Sequence, residues 1–178
     1  MGHARRIAVV SRRPTYRILL AKQDFKFSAA HFTLFGDGRA EQLHGHNYRL
    51  EVHLEGADLD RRGLLLELDP VKAAIRAACR RLDGRTLIAA GSADLACRRQ
   101  GDSVEVRFAE RTYRFPAAEV MLLPLTNSSI ELLARMLWDE LAPELAGSPV
   151  EILGVTVEET EGQSCRYEAP LGGAEEAP

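Results

Sequence analysis

The sequence predicts an α+β domain, an antiparallel four-stranded sheet with two helices on one face, in the order ββα, inserted hairpin, αββ. Three observations carry that expectation. Residues 17–31 and 44–54 place apolar and polar side chains alternately, the period of a half-buried strand. Two other segments, "LDPVKAAIRAACRRL" and "SSIELLA", repeat apolar residues at helical spacing. A chain of 178 residues with 46% apolar side chains has material for one sizeable core, which favours a single domain.

Residues 1–15 carry Arg5, Arg6, Arg12 and Arg13 around the short apolar run Ile7 to Val10, and read as a solvated arm preceding a domain over 16–169. The first strand is expected from Arg17 to His31, with Phe25, Phe27, Ala29 and His31 on one face. A second, from His44 to Leu54, sets His44, His46, Tyr48, Leu50, Val52 and Leu54 on one face and Asn47, Arg49, Glu51 and His53 on the other. Gly36-Asp37-Gly38 between them has turn chemistry, so the two strands form a long hairpin. In the first helix Asp69 is the expected N-cap, Pro70 the first helical residue, and Val71, Ala74, Ile75, Ala78 and Leu82 the apolar stripe; Asp83-Gly84 stops it. An inserted hairpin follows over about 101–123, with Val104, Val106 and Phe108 answered by Tyr113 and Phe115 at the surface. The second helix is expected to start at Ser128 with capping-box spacing to Glu131, burying Ile130, Leu133, Ala134, Leu137 and Leu141. Strands near 150–160 and 164–168 close the domain, and 170–178 is a small, acidic, frayed tail.

The formal charge of -3, from 23 basic and 26 acidic side chains, argues against nucleic acid as a partner. A small neutral or anionic ligand fits better. No segment approaches the ~20 apolar residues of a membrane span. Cys79, Cys97 and Cys165 are odd in number and lack a CxxC pair, which suggests neither a disulfide framework nor a cysteine metal cluster and points to the reducing cytoplasm.

Four of the five histidines fall between Lys26 and Gly56. His44 and His46, two apart on one strand, project from the same face and can share an ion, and His31 has the matching parity near the end of the preceding strand. Three imidazoles with an open fourth position suit a catalytic zinc, although other first-row ions also accept imidazole. Parity sets His53 apart. The plain alternative is a set of hydrogen-bonded polar residues on two strands.

"FSAAHF" followed by "LHGHNYRLEV" resembles the 6-pyruvoyl-tetrahydropterin and 6-carboxytetrahydropterin synthase family, over roughly residues 17–168 to "VTVEET". The resemblance implies the tunnelling fold, trimers or hexamers with sites between subunits, and a small pterin substrate. It implies His31, His44 and His46 as zinc ligands and Glu159 as anchor of the pterin ring, whose adjacent N–H donors two carboxylate oxygens can accept. It also places Ser129 and Glu131 near the pterin edge, against the capping reading of Glu131.

Two departures matter. Synthases of this family carry a Cys four residues before the first histidine of HGH, where this chain has Ala40, and an Asp-His pair after the first helix, where it has Asp83-Gly84. A subgroup with glutamate in an ExLHGHNY context matches Glu41 onward, which makes Glu41 the implied base. With the cysteine and relay histidine missing, the expected reaction is side-chain cleavage of 7,8-dihydroneopterin or its triphosphate to 6-hydroxymethyl-7,8-dihydropterin. The rival readings are a synthase releasing triphosphate, with Asp83 replacing the histidine, and a noncatalytic pterin- or metal-binding protein.

Overall fold

The computed structural model describes residues 13–172. The expected arm at 1–15 and tail at 170–178 therefore lie mostly outside the described residues. The elements are β1 (Tyr16–Leu20), β2 (Lys26–His31), β3 (Leu34–Gly36), β4 (Arg39–Ala40), β5 (His44–Gly56), α1 (Leu68–Leu82), β6 (Arg85–Ala89), β7 (Ala96–Gln100), β8 (Ser103–Phe108), β9 (Arg111–Pro116), β10 (Val120–Leu123), α2 (Ile130–Leu141), β11 (Ile152–Thr160) and β12 (Gln163–Pro170). Neither helix is long and apolar enough to cross a membrane.

The expected four antiparallel strands are present as β2-β5-β11-β12, one end of a larger sheet ordered β10-β6-β2-β5-β11-β12. Two features of that sheet differ from the sequence reading. The first strand is broken: β1 and β2 both pair with β5, leaving residues 21–25 between them. Beyond β2, β6 and β10 add in parallel, so the sheet is mixed. Their short apolar runs, "LIA" and "VMLL", carry no alternation by which a strand could be told from a loop or a helix end.

One face of β5 buries Tyr48, Leu50, Val52 and Leu54, as its alternation requires, and β11 adds Leu153, Val155 and Val157. The helices close this face with Val71, Ile75, Ala78, Cys79 and Leu82 of α1 and Leu133, Ala134, Leu137 and Leu141 of α2. Each large apolar side chain so buried contributes about 1.5–3 kcal/mol. The helix ends depart from the expected caps. Glu67, rather than Asp69, is the N-cap of α1, and Asp69 instead bonds Lys72 one turn on. Ser129 is the N-cap of α2, without a side-chain cap bond, so the Ser128 to Glu131 box does not form.

The insert is a three-stranded antiparallel sheet, β7-β8-β9, not a two-stranded surface hairpin. Val104 faces Phe115 and Val106 faces Tyr113, as the alternation predicts. Its inner side is buried: Val104, Val106 and Phe108 join Phe32, Leu34 and Ile88 in a second core. Phe32 precedes and Leu34 begins the small hairpin β3-β4, whose turn holds Gly36, Asp37 and Gly38 all at positive φ.

At the far end of β5, Gly56 meets the connection before β11. A Cβ added there would lie 2.5 Å from the Pro149 carbonyl oxygen and 2.7 Å from Leu65 Cδ1. Gly56→Ala is expected to destabilise the fold by roughly 1–3 kcal/mol through overpacking, read as a lower urea midpoint. An unchanged midpoint would mean that the strand end yields.

Candidate metal centre

Antiparallel pairing sets Phe27 opposite Tyr48, Ala29 opposite His46 and His31 opposite His44. The alternation that buries Phe27 and Tyr48 thus carries the three histidines onto the same face, at the end of the core. Their ring centroids lie 4.9 Å (His31 to His44), 5.3 Å (His31 to His46) and 4.6 Å (His44 to His46) apart. One ligand nitrogen from each falls within 4.8 Å of the others. His53 is on the opposite face, 3.3 Å from Thr156 Oγ1 and 3.6 Å from Glu51, as its parity requires.

Backbone carbonyls orient two of the rings. His31 Nδ1 lies 2.9 Å from the Ser128 carbonyl and His44 Nδ1 lies 2.7 Å from the Gln42 carbonyl. A carbonyl only accepts, so in the neutral rings the proton sits on Nδ1 and the Nε2 lone pair is left free, the arrangement usual for a metal-ligating histidine whose other nitrogen donates to a carbonyl. His31 Nε2 is buried with no hydrogen-bond partner. Burial, reinforced by His44 and His46, holds the His31 pKa below its ordinary value, against the pull of the Ser128 carbonyl and Glu159. A buried imidazole nitrogen that makes no hydrogen bond, faces two more imidazoles and has the Glu159 carboxylate 3.0 Å away fits a borderline cation such as zinc.

Glu159 adjoins the cluster. It shares the core face of β11 with Val155 and Val157, and its Oε1 lies 3.0 Å from His31 Nε2 and 3.7 Å from His46 Nε2. Buried Tyr48 donates its hydroxyl to Oε1 at 3.2 Å, and Gln163 donates to Oε2 at 2.8 Å. Burial and the Glu159 charge raise the Tyr48 pKa far above its usual value, so Tyr48 stays a donor. A cleft of about 600 Å³ opens beside them, lined by Gly45, His46, Asn47, Arg49, Glu158, Glu159, Thr160 and Glu161. Glu158, on the opposite face of β11 from the histidines, borders the same cleft and accepts the Gly162 N–H.

Glu41 lies in the segment joining β4 to β5. Its Oε2 accepts the Thr33 N–H at 2.9 Å, and its own N–H donates to the Thr33 carbonyl at 3.0 Å. Burial pushes its pKa up, but the bonds from Thr33 and the nearby His44 and His31 outweigh it, and the net shift is downward. Glu41 is therefore an ionised carboxylate within electrostatic reach of two of the histidines.

The remaining sequence candidates stand apart in this chain. Asp83 caps the end of α1 and accepts the Ser28 N–H at 2.8 Å, tying the helix to β2. Ser129 is the half-buried N-cap of α2, and Glu131 is exposed in its first turn, where its charge helps to raise the Cys165 thiol pKa. None of the three bonds a cluster histidine among the described residues. All three cysteines have thiol pKa values raised first by burial, Cys79 to about 11, which suits packing rather than nucleophilic roles.

Sequence reasoning missed Asn127 and Ser128. Asn127 exchanges side-chain bonds with both the N–H (3.0 Å) and the carbonyl (2.9 Å) of Leu34, and Ser128 Oγ donates to the Phe32 carbonyl at 2.8 Å. Together with the His31 contact they stitch the start of α2 to the chain just past His31. The "NSS" triplet signals a helix start equally well, so nothing local in the sequence distinguishes this use.

A model of the family described as 6-pyruvoyl tetrahydropterin synthase matches residues 20–170. A protein of Methanocaldococcus jannaschii, provisionally named 6-carboxy-5,6,7,8-tetrahydropterin synthase, is 24% identical over 80% of this chain and 88% of its own. A Pyrococcus horikoshii protein of the same provisional name is 25% identical over 74% and 78%. Among solved structures, 6-pyruvoyl tetrahydropterin synthase of Plasmodium falciparum superposes with a TM-score of 0.82 at 22% identity, covering 88% of this chain and 98% of its own. The Plasmodium vivax enzyme gives 0.79 at 26%, covering 88% and 99%. Matched structures include catalytic-residue mutants of the latter in which a glutamate is replaced by alanine or by cysteine.

Replacing His31, His44 or His46 singly by alanine is expected to lower bound zinc from about one equivalent to a small fraction, since losing one of three ligands weakens such a site severely. Metal analysis after gel filtration checks this. His53→Ala, on the other face, should retain the full equivalent.

Proposed function

The chain belongs to the 6-pyruvoyl tetrahydropterin synthase family, and from that premise we propose that it is a zinc-dependent pterin lyase. In this reading it cleaves the side chain of 7,8-dihydroneopterin, or of its triphosphate, to 6-hydroxymethyl-7,8-dihydropterin. The observation that carries the proposal is the pairing of Glu41, held as a carboxylate by Thr33, with a three-histidine cluster, where among the described residues no cysteine side chain hydrogen-bonds to either. A glutamate is likewise the catalytic residue named for the Plasmodium vivax relative, and Glu41 is the residue we place in that role.

His31, His44 and His46 would hold the ion, which when bound supplies Lewis-acid polarisation of a side-chain hydroxyl. Glu41 takes the proton of the hydroxyl on the second side-chain carbon. The bond between the first and second side-chain carbons then breaks. The oxygen on the second carbon becomes an aldehyde carbonyl, and the electron pair passes into the conjugated C=N of the pterin ring. Protonation of the first carbon, with Glu41 returning the proton, leaves the hydroxymethyl group. Glu159, within the wall of the adjacent cleft, accepts from the ring's N–H donors, and Tyr48 and Gln163 hold its carboxylate in place. Asp83, Ser129 and Glu131 would enter such a site only across a boundary between copies, in a trimer or hexamer with sites between subunits.

A synthase reaction is the second reading, favoured by the names of the two archaeal relatives. It requires a further proton carrier along the side chain, and Asp83, the candidate, is committed here to the Ser28 N–H.

Zinc-loaded protein incubated with dihydroneopterin and its triphosphate is expected to yield the hydroxymethyl product with a two-carbon aldehyde, by mass. A pyruvoyl or carboxy product with free triphosphate would instead identify a synthase. Glu41→Gln should lower the rate roughly 10²–10⁴-fold, the usual contribution of a general base, with zinc content unchanged. Normal turnover by that variant would remove Glu41 from the mechanism.

A further inference from the structure

The three-stranded insert reaches back to the segment that carries Glu41. From the first residue of β9, the Arg111 guanidinium donates through Nη1 to the Glu41 carbonyl at 2.6 Å and through Nη2 to the Ala40 carbonyl at 3.2 Å. One planar fork thus holds two successive carbonyls, a geometry for which guanidinium is suited and ammonium is not. Arg111 is itself seated, half-buried, with its guanidinium carbon 5.9 Å from the Phe108 ring centre. The surrounding strands are pinned by Phe32, next to ligand His31, which stacks on Tyr113 at 5.6 Å.

Glu41 is consequently held on three sides. Thr33 takes its N–H and gives a bond to its carboxylate, while Arg111 takes its carbonyl. Thr33 belongs to the same hairpin as Glu41 and would move with it. Arg111 comes from 70 residues away and ties that hairpin to a separate, packed sheet. Asn127 and the packing of Leu34, Ala40 and Leu43 against the insert also anchor the hairpin, but the Arg111 fork is the contact made directly to the Ala40 and Glu41 carbonyls, so its loss would loosen the segment that carries the carboxylate.

We propose that Arg111 is a positioning residue for Glu41, acting through the backbone of residues 40 and 41 and touching neither substrate nor metal. The inference rests on the reading of Glu41 as the base. Displacement of a base by about 1 Å can cost up to roughly 10²-fold in rate, so Arg111→Ala is expected to lower kcat by 10- to 100-fold with KM nearly unchanged. Arg111→Lys, able to reach one carbonyl but not fork across two, should fall between the two.

The decisive comparison repeats Arg111→Ala in the Glu41→Gln background. Once the base is gone its placement no longer matters, so the second substitution should add little to the loss. An equal fold-loss in both backgrounds, or a wild-type kcat for Arg111→Ala, would overturn the proposal. Normal turnover by Glu41→Gln alone is a different failure: it strikes the base assignment before any Arg111 variant is made. Amide hydrogen exchange supplies a reading independent of turnover. Exchange over residues 39–43 should rise in Arg111→Ala, with α1 and α2 unchanged. Unaltered exchange there would count against the tie. Should the alanine variant not fold, the lysine variant carries the same comparisons.

Discussion

The register between β2 and β5 is the constraint from which the site follows. Because strand side chains alternate with a period of two, a slip of one residue between the strands would turn one over relative to the other, parting His31 from His44 and His46 and Phe27 from Tyr48. The core prevents it. Phe27 and Tyr48 stack at 4.7 Å beneath the helices, and that packing fixes His31 opposite His44 without any contribution from the histidines themselves. The apolar half of the alternation thus supplies the stability for placing three polar rings, which would otherwise lose hydration for no return.

Burying imidazoles at the end of a core raises the question of their hydrogen bonds, and the answers select the chemistry. The Ser128 and Gln42 carbonyls each accept a hydrogen bond from a ring Nδ1–H, which leaves the Nε2 lone pairs of His31 and His44 without protons of their own. Tyr48 likewise donates to Glu159 rather than to a histidine. Each polar group beside the cluster is thereby committed in a direction that leaves the centre rich in acceptors and short of donors. A cation resolves that imbalance; a water could satisfy only part of it.

What could be read in the sequence follows from how local its causes are. Parity separated His53 from the other histidines and Glu158 from Glu159, because alternation within one strand is a local property and both assignments depend on nothing else. The two helical stripes were legible for the same reason. Their caps were not. Asp69 and Ser128 have the right chemistry for a cap, but Asp69 bonds Lys72, and Ser128 serves the strand end near His31, 97 residues away. β6 and β10 carry no local signal because apolar runs as short as "LIA" and "VMLL" have no period. The insert was read as surface because its outward residues are charged, Glu105, Arg107 and Arg114 among them. The inward set, Val104, Val106 and Phe108, finds its partners only in Phe32 and Ile88.

The electrostatics of Glu41 bear on why base and cluster belong together. Hydrogen bonds from Thr33 and the nearby rings hold the carboxylate below its ordinary range, which keeps it ionised and also makes it a weaker base. An alcohol proton lies about ten pK units above such a carboxylate, so transfer to Glu41 alone would be prohibitively uphill. The free ε nitrogens are where a group able to lower that gap would sit. Thr33 is the chief cause of that weakening, and His44 and His31, two of the residues that would hold the acidifying ion, add to it. A carboxylate already ionised and fixed by its backbone needs little reorganisation as the proton arrives, and fixed position then becomes the quantity the fold must defend. That places the burden on the contacts made by Thr33 and Arg111, one local and one reaching in from the insert.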